Sequence, residues 1–335
     1  MINKNSIHHN KPFMLAPVGK DYLWGGNRLQ SEYGKEIDME PLAESWECST
    51  HPDGVSSIAS GVYQGQNLRQ ILELHPEYLG THPDADGDLP IMVKFIDARK
   101  DLSLQVHPTD EYARTYEHGQ RGKTEMWYVA DAKKDASLIY GFYHDMSREQ
   151  LEQSLQNDTV ERYLQKIAVQ KNDVFFIEAG TVHAIGAGSL IVEVQECSNL
   201  TYRMYDYNRV DKNGQKRELH VEKALQVANL KSSREPRQPM RVLRYKRGMA
   251  SELLCRCKYF QVERNVLNTE LAKNMVEVRT ESNSFCVYVC LGGCGVIYME
   301  DGDRLDFFKG DTIFVPADSV SMRMHGKAQL LRVTC

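Results

Sequence analysis

Asn172-Asp-Val-Phe-Phe-Ile-Glu-Ala-Gly-Thr-Val-His183 lines up without a gap on Gly310-Asp-Thr-Ile-Phe-Val-Pro-Ala-Asp-Ser-Val-Ser321. Each copy reads as a turn, a short run of buried β-type residues, a second turn and the start of another strand. Two copies of one β unit in a single chain predict an architecture of two related halves. The last position differs, His183 in the first copy and Ser321 in the second. A copy that keeps the turns and the strand without the imidazole argues that folding does not need His183, which makes it a candidate ligand. A looser match sets Thr124-Glu-Met-Trp-Tyr-Val129 against Ser284-Phe-Cys-Val-Tyr-Val289, with Phe285 in the place of Glu125.

Outward from the repeat, the chain continues as short apolar runs broken by Gly, Asp and Asn. Ile91–Ile96, Met126–Val129, Ser137–Tyr140, Asp173–Ile177 and Ser189–Val194 have the length and the Val, Ile, Phe and Tyr content of strands. The pattern returns at Tyr259–Val266, Phe285–Leu291, Val296–Met299, Thr312–Val315 and Gln329–Val333. Helical readings are few. Ser147–Val169 is rich in Glu, Gln and Leu, has Ser147 as an N-cap, and breaks at Asn157–Asp158 into two short helices. Glu218–Asn229 carries Val221, Ala224, Leu225 and Ala228 on one face, and Asn67–Leu74 is a third, short candidate. A mainly β fold follows, a sandwich or jelly roll with a small helical insert at about residues 147–169. Lys231–Pro239 has no apolar period and reads as a linker, dividing the chain into residues 1–230 and 240–335.

Composition narrows the function. A chain of 335 residues fits about two domains at roughly 150 residues each. Hydrophobic residues at 41% and charged residues at 26% are those of a soluble globular protein. A net charge of −5 speaks against a nucleic-acid or anionic-membrane surface as the main partner. No stretch approaches the roughly 20 apolar residues of a membrane span, and Met1–Val18 has no apolar core of the secretory kind. The expectation is a cytoplasmic monomer whose 8 cysteines are mostly reduced. Cys286, Cys290 and Cys294 straddle a strand and a Gly-rich turn (Gly292, Gly293, Gly295), and with Cys255 and Cys257 they read as structural thiols rather than a metal knuckle.

The polar clusters concentrate in the first half. Gln105 and His107 are two residues apart in an alternating run and project from one face of a strand. Glu125 and His183 head two later strands. Two imidazoles, a carboxylate and an amide oxygen suit Zn²⁺ or another borderline divalent ion, with a position left for water or substrate. His51, His75, His82, His118, His144, His220 and His325 lack such company and read as ordinary surface or hydrogen-bonded residues.

Six motifs occur in order: Tyr22-Leu-Trp24-Gly-Gly26, Ala43-Glu-Ser-Trp46-Glu, Ser103-Leu-Gln105-Val-His107-Pro108, Gly122-Lys123-Thr-Glu125-Met-Trp127, Ala179-Gly-Thr-Val-His183-Ala and Leu200-Thr-Tyr-Arg203-Met-Tyr-Asp-Tyr207. Together the motifs resemble type I, zinc-dependent mannose-6-phosphate isomerase in its compact bacterial form, over roughly residues 12–230 and more loosely to 335. The resemblance implies a cupin jelly roll in each half, with the metal in the first only. It also implies one Zn²⁺ per chain held by Gln105, His107, Glu125 and His183, and isomerisation of mannose 6-phosphate to fructose 6-phosphate. It maps an essential arginine onto Arg203, a carboxylate onto Glu193 with Glu196 as the alternative, and inward lysines onto Lys123 and Lys94. Two departures stand out: Gly122 where many relatives have His, and Glu178 where many have Pro.

These residue types suit the chemistry. Aldose–ketose interconversion moves a proton between C1 and C2 through an enediol, which needs a base and stabilisation of oxygen charge. Glu193 or Lys123 is a proton carrier, and Arg203 a cation for the oxygens. Lys94, Lys123 and Arg203 form an anion clamp with Ser103 as hydrogen-bond donor, and Trp24 approaches the sugar on a loop that Gly25 and Gly26 make compact. Three rivals remain at this point: an isomerase of unphosphorylated mannose or a related sugar, a metal-dependent cupin oxygenase, and a non-catalytic sugar-binding cupin.

Overall fold

Runs such as Ile91–Ile96 are apolar on both faces, and a strand like that is stable only where both faces are covered. The computed structural model, which describes residues 10–81, 88–211, 213–234, 237–238, 242–270 and 274–335, covers them with two further sheets. A 6-stranded antiparallel sheet runs in the order Val174–Ile177, Glu125–Ala132, Ser189–Glu196, Ile91–Asp97, Glu44–Cys48 and Val18–Lys20. One face packs on a 5-stranded sheet of Tyr202–Tyr205, Leu104–Val106, His183–Ile185, Ser137–Phe142 and Leu164–Ala168. Ile96, Trp127, Phe175 and Ile191 meet Leu102, Leu138, Ile167 and Ile185 between these layers. The opposite face, with Val93, Phe95, Met126, Tyr128 and Val192, joins Phe13, Leu15, Val287, Phe314 and Val333 in one continuous core. Thus a mainly β fold of two stacked units is observed, and the first unit's sheets bracket the polar cluster.

The second unit is a 10-stranded sheet that includes Met249–Arg256, Gln261–Asn268, Cys286–Met299, Thr312–Val315 and Met322–Thr334. It also takes Phe13–Ala16, paired with Thr312–Val315, and Ser57–Ile58 beyond it. Two strands from before residue 60 therefore lie in the sheet of the second unit, although the linker divides the chain in sequence near 230–240. Of its described residues, Ser232 bridges Phe142 and Arg237 bridges Phe175, both in the first unit. A buried ion pair spans the units: the Lys35 ammonium lies 2.7 Å from Glu47, whose carboxylate also accepts from Ser45 and Thr312.

The long repeat is structural. Asn172 and Gly310 share positive φ (73° and 97°), as do Gly180 and Asp318 (89° and 49°). In both copies the aspartate after the first turn accepts a backbone N–H three residues back, Gln170 for Asp173 and Phe308 for Asp311. The looser match is out of register by one. Tyr128 lies opposite Val174, whereas Val289, not Tyr288, lies opposite Thr312. A slip of one residue exchanges the two faces of a strand, so the counterpart of Glu125 is Cys286 rather than Phe285.

Helices are short. Ser147 caps Arg148–Gln156 through a capping box with Gln150. The expected second helix is a 3₁₀ turn at Val160–Arg162, and Leu164–Ala168 is a strand on Ser137–Phe142. Leu164 and Ile167 bury in two different core clusters, which outweighs the helix-forming composition. Glu218–Asn229 contains the helix Val221–Val227, and Asn67 caps Leu68–Leu74. Arg28–Tyr33 and Asp110–Tyr116 are helices without a strong sequence signal. Cys286–Met299 is one strand; Gly293, at φ 78°, sits at a bulge rather than a turn. Cysteines 286 and 290 are buried on it and Cys294 is exposed, and all eight cysteines are free thiols. Among the described residues no helix is long and apolar enough to cross a membrane.

Candidate metal centre and cleft

Strand pairing assembles the site in rows. Across the 6-stranded sheet, Trp46, Lys94, Glu193, Trp127 and Phe175 are successive cross-strand partners. On the facing sheet, Gln105 is the partner of both His183 and Arg203. His107 lies just past the end of Leu104–Val106 and keeps the face that Gln105 presents. The two layers bring His107, Glu125 and His183 together, with one ligand atom from each inside a 4.8 Å set.

The imidazoles are oriented for ligation. His107 Nδ1 donates to the Leu200 carbonyl and His183 Nδ1 to that of Thr181, both at 2.8 Å. Each Nε2 is thereby left with a lone pair, and each lies 3.4 Å from a different oxygen of Glu125. Burial, helped by the Lys123 charge, lowers His107 to about 3, and burial also lowers His183, so both rings are neutral. Glu125 is wholly buried, and neither oxygen has a hydrogen-bond partner. Lys123 stands 2.8 Å from Oε2 as an ion pair. Burial alone raises a carboxyl, but the Lys123 charge holds Glu125 well below its ordinary range. Gln105 Nε2 is 3.3 Å from His183 Nε2; a half-turn of the amide, whose ends look alike, presents oxygen instead. Two neutral imidazoles, an orphaned buried carboxylate and an amide oxygen fit a divalent ion of the zinc type.

Above this cluster lies a cleft of about 210 Å³. Trp24, Lys94, Ser103, Gln105, Lys123, Glu193 and Arg203, all expected from the sequence, line it. Glu44 and Arg217 line it too and were not expected. The inner wall is a charge lattice: Lys94 sits 3.4 Å from Glu193 and 3.8 Å from Glu44, and Lys123 sits 3.7 Å from Glu193. Trp127 donates to Glu193 at 3.0 Å and Trp46 to Glu44 at 2.7 Å. Burial, then the Glu125 charge, raises Glu193 above its ordinary range against the pull of Lys123 and Lys94. Burial lowers Lys123, but Glu125 and Glu193 more than restore it.

The outer wall is cationic. Arg203 donates to Ser103 and to the Glu218 carbonyl. Arg217 is clamped to Asp206 at 2.6 and 2.8 Å, and Arg209 shares that carboxylate. Two guanidiniums thus share one carboxylate, and burial together with Arg217 lowers the proton affinity of Arg203. Glu44 had a sequence signal, since it stands two residues from Trp46 and so on the same strand face. Arg217 had none, because a polar loop brings it to the cleft.

Glu196 is not in the cleft. Alternation along Ser189–Glu196 turns it to the other face, where it accepts the Thr124 N–H. Gly25 and Gly26 serve packing rather than approach to the cleft, since a Cβ would lie 2.5 Å from Ala43 and 2.1 Å from Asp97. The other described histidines stand apart from the metal cluster; His75 bonds Tyr63 and His325 bonds Thr269, while His8, His9 and His82 fall outside the described residues.

The chain resembles known proteins. Residues 13–123 match the model of the phosphomannose isomerase type I catalytic domain. The chain is 33% identical over 325 residues to mannose-6-phosphate isomerase ManA of Bacillus subtilis, covering 96% of this chain and 98% of that protein. It is 40% identical over 220 residues to mannose-6-phosphate isomerase of Streptococcus mutans, covering 66% and 68%. The crystal structure of mannose 6-phosphate isomerase from Bacillus subtilis superposes with a TM-score of 0.87 at 32% identity, covering 96% of this chain and 99% of that one.

Proposed function

Because this chain belongs to the type I phosphomannose isomerase family, we propose that it interconverts mannose 6-phosphate and fructose 6-phosphate at the cleft between its two facing sheets. The observation that carries the reading is the convergence of His107, Glu125 and His183 beneath a cleft with a carboxylate–lysine inner wall and a guanidinium outer wall.

In this reading Gln105, His107, Glu125 and His183 hold one Zn²⁺ per chain, which supplies Lewis-acid stabilisation of oxygen charge. The aldose loses a proton from C2 and gains one at C1, and the O2 proton moves to O1, so the atoms balance. Glu193 carries the carbon-bound proton. Its raised proton affinity brings it nearer neutrality than an exposed glutamate, which is what a two-way proton carrier needs. Lys123 and Arg203 face the oxygens from two sides. Glu44, Lys94 and the two tryptophans keep Glu193 in place and keep bulk water out. The buried Trp24 closes the sugar end, stacked on Tyr22.

The phosphate end needs free positive charge. Lys94 and Lys123 are already set against Glu44, Glu125 and Glu193, two cations to three anions. Arg209 and Arg217 share Asp206, while Arg203 bonds the uncharged Ser103 hydroxyl and Glu218 carbonyl, and this end takes the phosphate with Ser103. The guanidiniums favour a phosphorylated sugar over free mannose. A cytoplasmic monomer acting on a soluble sugar phosphate completes the proposal. A coupled assay for fructose 6-phosphate tests it: turnover of mannose 6-phosphate at a rate far above that of mannose is expected, and equal rates on the two sugars overturn the phosphate assignment.

A further inference from the structure

The short turn that delivers Lys123 and Glu125 is braced from behind. Gly122 donates its N–H to Asp110 Oδ1 at 3.0 Å, and Thr124 donates its N–H to Glu196 Oε1 at 2.8 Å. The Lys123 N–H between them goes to the Pro108 carbonyl at 3.1 Å. Glu196 is 2% exposed, and its Oε2 has no donor. The group across from it is the Asp110 carboxylate. Two carboxylates can bond each other only by sharing a proton. The second unit reaches the same point, since Tyr259 donates its hydroxyl to Asp110 Oδ2 at 3.0 Å.

We propose that Asp110 and Glu196 form a proton-sharing brace that positions the Gly122–Thr124 turn, and that Tyr259 makes the second unit part of that brace. The inference rests on the reading of Lys123 and Glu125 as site residues. Glu196, Asp110 and Tyr259 touch no substrate and are positioning residues. The brace also gives the second, metal-free unit a task in the first unit's chemistry.

All the neighbours of the pair agree on which carboxyl keeps the proton. Arg114 and Lys258 stand 3.6 and 3.8 Å from Asp110 and favour its charged form. Glu196 faces Asp110, the Tyr259 ring and the Cys257 thiol, with the Thr124 N–H as its donor. Burial, then the Asp110 charge, raises Glu196 to about 8. The native protein therefore binds one more proton here than the unfolded chain between roughly pH 4.3 and 8. Stability contributed by this group falls as pH rises through that window and levels off above it.

The test uses zinc-loaded full-length chain and three variants, Glu196→Gln, Glu196→Ala and Tyr259→Phe. Glutamine accepts from Thr124 and donates to Asp110 at any pH. Glu196→Gln should match wild type near pH 6 and abolish an alkaline fall in kcat that wild type shows near pH 8. Its Tm should gain on wild type by several degrees between about pH 5 and 8. Glu196→Ala should lower kcat about tenfold with KM nearly constant, and speed amide exchange across residues 122–125. Tyr259→Phe should speed the same exchange. Parallel pH profiles for wild type and Glu196→Gln in both kcat and Tm overturn the brace, and unchanged exchange in Tyr259→Phe overturns the role of the second unit. If wild type fails to isomerise mannose 6-phosphate, the functional reading falls, while Tm and exchange still decide the brace. If Glu196→Ala does not fold, Glu196→Gln carries the decision alone.

Discussion

Replacing Arg217 by alanine should separate phosphate recognition from isomerisation. Arg217 lines the cleft, and Asp206 holds its guanidinium through two hydrogen bonds of 2.6 and 2.8 Å. Burial alone would raise the Asp206 carboxyl, but Arg217 and Arg209 keep it below its ordinary range, so the clamp is charged at neutral pH. Arg209 and Arg217 share the Asp206 carboxylate, and Arg203 beside them is held by a hydroxyl and a backbone carbonyl, which leaves positive charge for a phosphate. A hydrogen bond to a charged group contributes about 1.5–3 kcal/mol, so losing one such contact lowers kcat/KM for mannose 6-phosphate by roughly 10- to 150-fold. The loss should appear mainly in KM if the contact is equal in ground and transition states. Turnover of unphosphorylated mannose, however slow, should change by less than about twofold, because no phosphate is there to lose. Asp206 retains Arg209, which limits collapse of the loop. The assay is steady-state kinetics on both sugars, with inorganic phosphate as competitor. Equal losses on the two sugars, or undiminished inhibition by phosphate, would leave Arg217 a structural residue with no part in phosphate recognition.

Glu47→Ala should destabilise the fold by about 3–5 kcal/mol, because it strands the Lys35 ammonium in the interface between units; a Lys35→Met/Glu47→Leu double variant should recover most of the loss in chemical denaturation. Gly26→Ala forces a methyl group against the Asp97 carboxylate, which also receives the Arg28 N–H, and a cost of about 1–3 kcal/mol is expected in the same measurement. Lys94→Met removes the partner of Glu193 and Glu44, leaves two buried carboxylates facing each other, and should reduce kcat on phosphorylated and free sugar alike, unlike Arg217→Ala.

The sequence was most informative where chain geometry is local. A run such as Ile91–Ile96 can only be a strand covered on both faces, and alternation within it turns Lys94 toward the cleft and Phe95 toward the second unit. The aligned turns at Asn172 and Gly310 are readable because positive φ and an aspartate that bonds backward leave a residue signature. Gln105, His107, Glu125 and His183 were plausible from two-residue spacing, but the resemblance singled them out. Composition misled at Leu164–Ala168, whose helix-forming residues follow sheet packing instead. It misled again at Gly292–Gly295, where a bulge looks like a turn. The looser repeat failed because one Tyr-Val identity outweighed pairing register, which no short match encodes. Glu44 was within reach of a same-face argument from Trp46. Arg217 and Tyr259 depend on loop closure and on contact between units, so no local pattern announces them, whereas strand alternation from Glu193 already turns Glu196 to the opposite face.

The proposed isomerisation of mannose 6-phosphate requires a metal held by His107, Glu125 and His183. The most direct measurement strips the purified protein with a chelator and titrates Zn²⁺ back while following fructose 6-phosphate formation, with His183→Ala in parallel. Activity should vanish on stripping and return in proportion to zinc up to about one equivalent per chain, and His183→Ala should not recover. Undiminished turnover in the stripped protein or in His183→Ala would contradict the account.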